Sequence, residues 1–87
     1  MSRKEKLIRR FVKQPKDFTY QEMISLLVSL GYVESQKGRT SGSRVRFQNK
    51  EKQSIIDLHR PHPSNVIKSG VMKDVLEKLI NARIISL

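Results

Sequence analysis

A helix whose two ends are both marked in the sequence, between Thr19 and Gly31, most constrains how this chain can fold. Thr19 can accept a hydrogen bond from the first turn, and Glu22, three residues later, completes a capping box. Gly31 stands where a glycine commonly ends a helix. The apolar residues between these ends recur at helical spacing and are predicted to face the core: Tyr20, Met23, Ile24, Leu27 and Leu30.

Residues 3–13 carry a second helical pattern. Its apolar stripe lies on one face, and most other positions are basic, with Glu5 as the acidic exception. Pro15 ends the pattern because proline disfavours helical conformation in the residue before it. We interpret the basic face as a solvated surface in preference to a dedicated nucleic-acid helix. The stripe that packs on the core comprises Leu7, Ile8, Phe11 and Val12.

Strand patterns follow Gly31. Three short runs rich in apolar residues are predicted to be strands, and they occupy residues 32–37, 43–48 and 53–59. A turn at residues 49–52 joins the second to the third, and the short connections favour an antiparallel meander. A proline-punctuated loop over residues 60–65 comes next.

A last helix is predicted to begin at Lys68 or Ser69, and the apolar tail after Arg83 is expected to pack rather than trail. The order α, α, β, β, β, α gives an α+β fold in which helices cover one face of a three-stranded antiparallel sheet. Without the N-terminal helix, the order α-β-β-β-α is that of the double-stranded-RNA-binding fold. The buried stripe of the last helix is Met72, Val75, Leu76 and Leu79.

The size and the net charge of the chain limit the functions that it can have. The 87 residues predict a single domain over residues 1–87, and Lys+Arg 18 against Asp+Glu 8 leave a net charge of +10. Such a charge favours polyanionic partners, with nucleic acid first. No apolar run approaches the length of a membrane span and no secretory leader is visible, so a cytoplasmic protein without a membrane partner is expected. The absence of cysteine excludes disulfides and thiol nucleophiles.

Residues 38–47 are the stretch most expected to meet a partner. Two glycines and small hydroxylated residues lead into an alternation that sends Val45 and Phe47 to one face of a strand and the arginines to the other. This pattern favours a phosphate-binding edge, and a solvated surface hairpin is the alternative. The residues expected to contact phosphate or RNA are Arg39, Ser43, Arg44, Arg46 and Arg60.

The chain has two histidines, His59 and His62, and they lie close together. Histidine suits acid–base catalysis near neutral pH, and arginines nearby could stabilise a phosphorane, so the pair could cleave a phosphodiester without metal. The alternative is that both are loop residues bonded to backbone. Because the carboxylates are scattered and two histidines supply too few ligands, we expect no metal site and no small-molecule cofactor.

Several motifs together resemble the HicA toxins of bacterial toxin–antitoxin pairs. The resemblance covers roughly residues 19–85 as a HicA-like core, with residues 3–13 as an added N-terminal helix. It rests on five motifs in the order that the family has them. The first four are Leu26-Leu27 with Leu30-Gly31-Tyr32, Lys37-Gly38, Gly42-Ser43 before a strand, and His62 after the third strand. The fifth is the run from Ile67 to Leu76, which is similar to the family's Lys-x-Gly-Thr-Leu-Arg-x-Ile-Leu helix start.

The resemblance implies a double-stranded-RNA-binding-like fold, mRNA binding with metal-independent cleavage, and neutralisation by a HicB-type antitoxin. The family's catalytic histidine follows the serine of Gly-Ser-His, and here Arg44 holds that position. Arginine stays protonated and cannot act as a base, although it can hold phosphate. Proton transfer is therefore expected from His62 or His59. The alternatives are a non-catalytic module for double-stranded RNA or DNA, and a basic protein-interaction domain.

Overall fold

The computed structural model describes residues 3–35, 44–61 and 64–85. The predictions made for Arg39, Ser43 and His62 lie outside the described residues. The order of elements confirms the predicted α+β fold, with helices on a three-stranded antiparallel sheet and an added N-terminal helix. In chain order the elements are α1 (Arg3–Val12), α2 (Tyr20–Ser29), β1 (Val33–Ser35), β2 (Arg44–Asn49), β3 (Ser54–His59) and α3 (Ser69–Asn81).

The sheet has the order β1-β2-β3 with both pairings antiparallel. Its register places Arg44 opposite His59 and Ser35 opposite Arg46. Because side chains alternate along a strand and directly opposite residues share a face, the sheet has a buried inner face against the helices and an exposed outer face. The outer face comprises Val33 and Ser35 of β1, Arg44, Arg46 and Gln48 of β2, and Ile55, Asp57 and His59 of β3.

The predicted ends of α2 are confirmed. The Thr19 hydroxyl accepts a hydrogen bond from the backbone N–H of Glu22, and the Glu22 carboxylate accepts one from the Thr19 backbone N–H. At the other end Gly31 has a φ of +96°. Its N–H donates to the Val28 carbonyl, while the next N–H, of Tyr32, donates to Leu27. This pair of bonds is a Schellman motif, which satisfies carbonyls of the last helical turn.

Helix α1 packs on α2 and on the segment that leads into it. Phe11 is fully buried, and its ring centroid lies 5.6 Å from that of Phe18. Arg10 reaches from α1 to α2, where its Nε donates to Glu22 at 2.9 Å and its Nη2 to Asp17 at 3.1 Å. The apolar stripe of the predicted N-terminal helix is thus used for packing, and one basic residue ties the two helices together.

The segments before α2 and α3 lie side by side. The N–H of Ile67 donates to the Phe18 carbonyl at 2.8 Å, and the N–H of Tyr20 donates to the Asn65 carbonyl at 2.9 Å. These bonds bring the N-termini of α2 and α3 to the same end of the molecule. The start of β2 and the end of β3 lie together where Arg44 opposes His59, and the contact of Arg60, directly after β3, with Tyr20 brings them to this end too.

Three predicted strand boundaries were wrong, the first because β1 begins at Val33 and not at Tyr32. Asn49 was assigned to the turn, but it is the last residue of β2 and is buried. Its side-chain N–H donates to the Leu30 carbonyl, and its side-chain oxygen accepts from the Lys52 N–H. One buried polar side chain thus bonds both to the end of α2 and to the turn between β2 and β3. Gln53 was assigned to the third strand, yet it lies in the turn with a φ of +52°.

The last helix begins at Ser69, with Lys68 as its N-cap residue. Met72, Val75 and Leu79 are buried as predicted, whereas Leu76 is only half-buried. The tail packs as far as the structure describes it, because Ile85 is buried. Among the described helices none is long and apolar enough to cross a membrane.

Candidate nucleic-acid interface

Arg44 and His59 form the terminal pair of the outer face. They are Cα partners across β2 and β3, and both side chains are exposed. The next pair, Val45 with Leu58, is turned inward, where Leu58 is buried in the core. The apolar pair therefore fixes which way the polar pair faces, since neighbouring residues of a strand point to opposite sides. An arginine and a histidine are held together at the edge of the exposed face.

Arg46 lies two residues along β2 on the same face and is held by Asp57. Its Nε donates to Oδ1 at 2.8 Å and its Nη2 to Oδ2 at 3.3 Å, which is the forked geometry of a guanidinium on a carboxylate. The hydrogen bond from Arg46 lowers the pKa of Asp57, and the charges of Arg46, Arg44 and Lys78 act in the same direction. The same bond raises the pKa of Arg46.

Arg60 follows β3 directly and lies over an aromatic ring. Its guanidinium carbon is 5.9 Å from the ring centroid of Tyr20, the first residue of α2. At this distance the cation is attracted by the ring face. Tyr20, predicted as a core residue, is buried. The Tyr20 ring therefore packs in the core, and one face of the same ring positions the Arg60 guanidinium.

The beginning of α3 lies beside the same loop. A shallow groove between them is lined by residues that include Lys16, Pro61, Lys68 and Ser69. Lys68 makes no side-chain cap, and the first turn of α3 has no acidic residue. The amide groups at the start of a helix carry partial positive charge, so this helix end adds to the basic character of the groove.

The arrangement offers cations and one histidine around an open surface. A histidine can transfer a proton near neutral pH, and an arginine can hold two phosphate oxygens. Within the described part of the chain, no three histidine or acidic side chains approach closely enough to hold a metal ion. Of the residues predicted to form the site, Arg44, Arg46 and His59 share the outer face and Arg60 adjoins it.

Two residues of this region were not identified from the sequence. Asp57 neutralises Arg46, and Tyr20 lies under Arg60. The signal for Asp57 was present in principle, because a four-residue turn after Asn49 sets the hairpin register and places Asp57 opposite Arg46. No local pattern signals the contact between Tyr20 and Arg60, which are forty residues apart in sequence.

Comparison with known families gives one result. A family model described as the HicA toxin of bacterial toxin–antitoxin matches residues 20–79. The match begins at the first residue of α2 and reaches the last turn of α3, so that α1 lies outside it. No curated protein and no solved structure matches the chain significantly.

Proposed function

The chain belongs to the HicA toxin family, the toxin components of bacterial toxin–antitoxin pairs, and from this membership we propose that it acts on mRNA. The proposed contact surface is the end of the outer face at Arg44 and His59, together with Arg60. The observation that carries the proposal is the register that sets Arg44 opposite His59. The net charge of +10 supports it, because a polyanion is attracted to such a chain before any specific contact forms.

The proposed reaction is metal-independent cleavage of the RNA strand. The 2′-oxygen attacks phosphorus, the bond from phosphorus to the 5′-oxygen breaks, and one proton leaves the 2′-hydroxyl while another reaches the leaving oxygen. Arg44 holds the phosphate and stabilises the negative charge that develops on it. His59 performs one of the two proton transfers, and His62, three residues later, is proposed for the other.

A second candidate function is RNA binding without cleavage. It is favoured by one observation: His59 is the one histidine on the described outer face, whereas cleavage takes two proton transfers. Arg44 cannot supply the second transfer, because a guanidinium stays protonated. Both candidates use the same surface, so they differ in products and not in where RNA binds.

Expression in bacteria separates the two candidates. With the wild-type chain induced, we expect growth to stop and transcripts to be fragmented, and with His59→Ala or His62→Ala we expect transcripts to stay intact. Intact transcripts and normal growth with the wild-type chain would contradict cleavage. Binding of the purified protein to a 20-nucleotide RNA would then identify the non-catalytic function.

We also propose that the cognate antitoxin is of the HicB type and carries an acidic surface. The basic character of the toxin supports an acidic partner, because opposite potentials steer association. The neighbouring reading frame tests this directly: a small HicB-like chain whose co-expression restores growth is expected. A chain that binds an acidic partner tightly but no RNA would instead be a protein-interaction domain.

A further inference from the structure

We propose that α1 carries a second RNA-binding surface, a basic stripe formed by Lys6, Arg9 and Lys13 that holds the phosphate backbone beyond the Arg44–His59 end. This inference rests on the proposed function and extends it, since it assigns a contact to the helix that lies outside the family match. The stripe is not part of the outer face of the sheet. Its ligand is defined by chemistry: successive phosphates of an RNA strand.

The spacing of the stripe is the first argument. Lys6, Arg9, Arg10 and Lys13, the last directly after α1, stand at i, i+3, i+4 and i+7, so they share one face and line one shallow surface groove with Pro15. The apolar residues that pack on the core occupy the opposite face. From Lys6 to Lys13 the stripe extends about 10 Å along the helix axis, enough to reach more than one phosphate.

The charge of the stripe is the second argument. Like charges at these spacings repel each other and weaken a helix. In the described part of the chain, carboxylates lie within ion-pair distance of Arg10 but not of Lys6, Arg9 or Lys13, whose side chains are exposed. Three exposed cations thus lie together on this face, an arrangement that an external polyanion would stabilise.

The third argument is what the stripe lacks. The large apolar side chains that are exposed among the described residues are Val28, Val33 and Ile55, and none of them is on α1. Protein interfaces are usually built around buried aromatic or apolar anchors, whereas the affinity for a nucleic-acid backbone comes mainly from cations. The composition of the stripe therefore favours RNA over a protein partner.

Position links the stripe to the proposed site. Pro15 is among the residues that line the groove on α1, and the next residue, Lys16, is among those that line the groove beside Pro61. Gln14 anchors this connection, because its side-chain amide donates to the Met72 carbonyl in the first part of α3. A strand of RNA leaving the Arg44–His59 end past Arg60 would meet Lys16 and then the stripe.

The test is the salt dependence of RNA binding. A 30-nucleotide single-stranded RNA is titrated with the wild-type protein and with the triple variant Lys6→Gln, Arg9→Gln, Lys13→Gln at several salt concentrations. Because each lost phosphate contact reduces the log–log slope by about 0.7 for single strands, we expect the slope to fall by about 2. The matched control is Lys50→Gln, Lys52→Gln, Lys78→Gln, which removes the same charge from the β2–β3 turn and the second half of α3 and should keep most of the slope.

Glutamine is a good helix former, and circular dichroism checks that α1 is retained in the triple variant. The charge-preserving variant Lys6→Arg, Lys13→Arg should bind RNA as the wild-type chain does. A wild-type slope in the triple variant would overturn the stripe as an RNA contact while leaving the proposed function intact. The stripe would equally be overturned if the triple variant kept its RNA slope but lost binding to the antitoxin. If the wild-type chain binds no RNA, the proposed function itself fails.

Discussion

The guanidinium of Arg46 is bonded to the carboxylate of Asp57 by two hydrogen bonds, of 2.8 Å and 3.3 Å, across the outer face of the sheet. An arginine predicted to hold phosphate is therefore occupied by an anion of the protein itself. We therefore expect Asp57 to compete with the proposed RNA ligand for Arg46 and to limit how strongly the middle of the outer face attracts a strand.

Replacement of Asp57 by asparagine should strengthen RNA binding. The change releases Arg46 and removes one negative charge, so we expect an affinity about two- to fivefold higher at moderate salt, the size typical of an exposed ion pair. Asp74→Asn, an exposed position on α3, changes the net charge equally and is the control. Equal gains in both variants, measured by fluorescence anisotropy, would show that the effect is general charge and not release of Arg46.

Gly31→Ala should destabilise the fold. Gly31 has a φ of +96°, which a residue with a Cβ adopts at a cost, and an added Cβ would lie 3.2 Å from the Asn49 amide. We expect the free energy of unfolding in urea to fall by about 1–2 kcal/mol.

The control for this change is Gly70→Ala, near the start of α3. A Cβ there would meet no atom within 4 Å, so the replacement should stabilise the helix by up to about 1 kcal/mol. If both alanine variants shift stability in the same direction, the backbone argument for Gly31 is wrong.

Glu22→Gln should make the free energy of unfolding less dependent on pH in the acidic range. The hydrogen bond from Arg10 lowers the pKa of Glu22 below its ordinary value of 4.5, and the bonds from Thr19 act the same way. Because the unfolded chain then binds the proton more readily, this contribution is present above about pH 4.5 and is lost as the pH falls through the folded-state pKa.

The one oxygen of glutamine can keep the capping-box bond to the Thr19 N–H, so the variant removes the negative charge and, with it, the hydrogen bond that the second carboxylate oxygen accepts from Arg10. Wild type should be more stable at neutral pH, and the difference in urea midpoint should shrink as the pH falls below 4.5 and through the lowered pKa of Glu22. Glu51→Gln, on the exposed β2–β3 turn, should leave the wild-type pH profile unchanged. A gap between wild type and Glu22→Gln that is constant with pH would contradict the assigned role.

The local part of the fold could be predicted because its signals are local. Thr19, Glu22 and Gly31 act within one helix, and the structure shows the capping box and the positive φ that they predict. The alternation of apolar and basic residues in β2 also predicted which residues share a face, and Arg44 and Arg46 lie on the exposed face as expected. Such features depend on residues a few positions apart.

The long-range part could not be predicted in the same way. Asn49 was assigned to the turn between the second and third strands, but its bond to the Leu30 carbonyl makes burial in β2 favourable. The Arg46–Asp57 bonds and the Arg60–Tyr20 contact likewise depend on how distant segments meet. The sequence indicated which cations could bind RNA and not which of them a protein carboxylate already holds.

The most direct test of the account is the RNA affinity of Arg44→Ala compared with Lys50→Ala, measured on one 20-nucleotide RNA at one salt concentration. Both variants remove one positive charge. Arg44 is the first residue of β2, whereas Lys50 directly follows the last residue of that strand. A charge-assisted contact to phosphate predicts a loss of about tenfold or more for Arg44→Ala and a change within about twofold for Lys50→Ala. Equal affinities for the two variants would contradict the placement of the RNA site at the Arg44–His59 end.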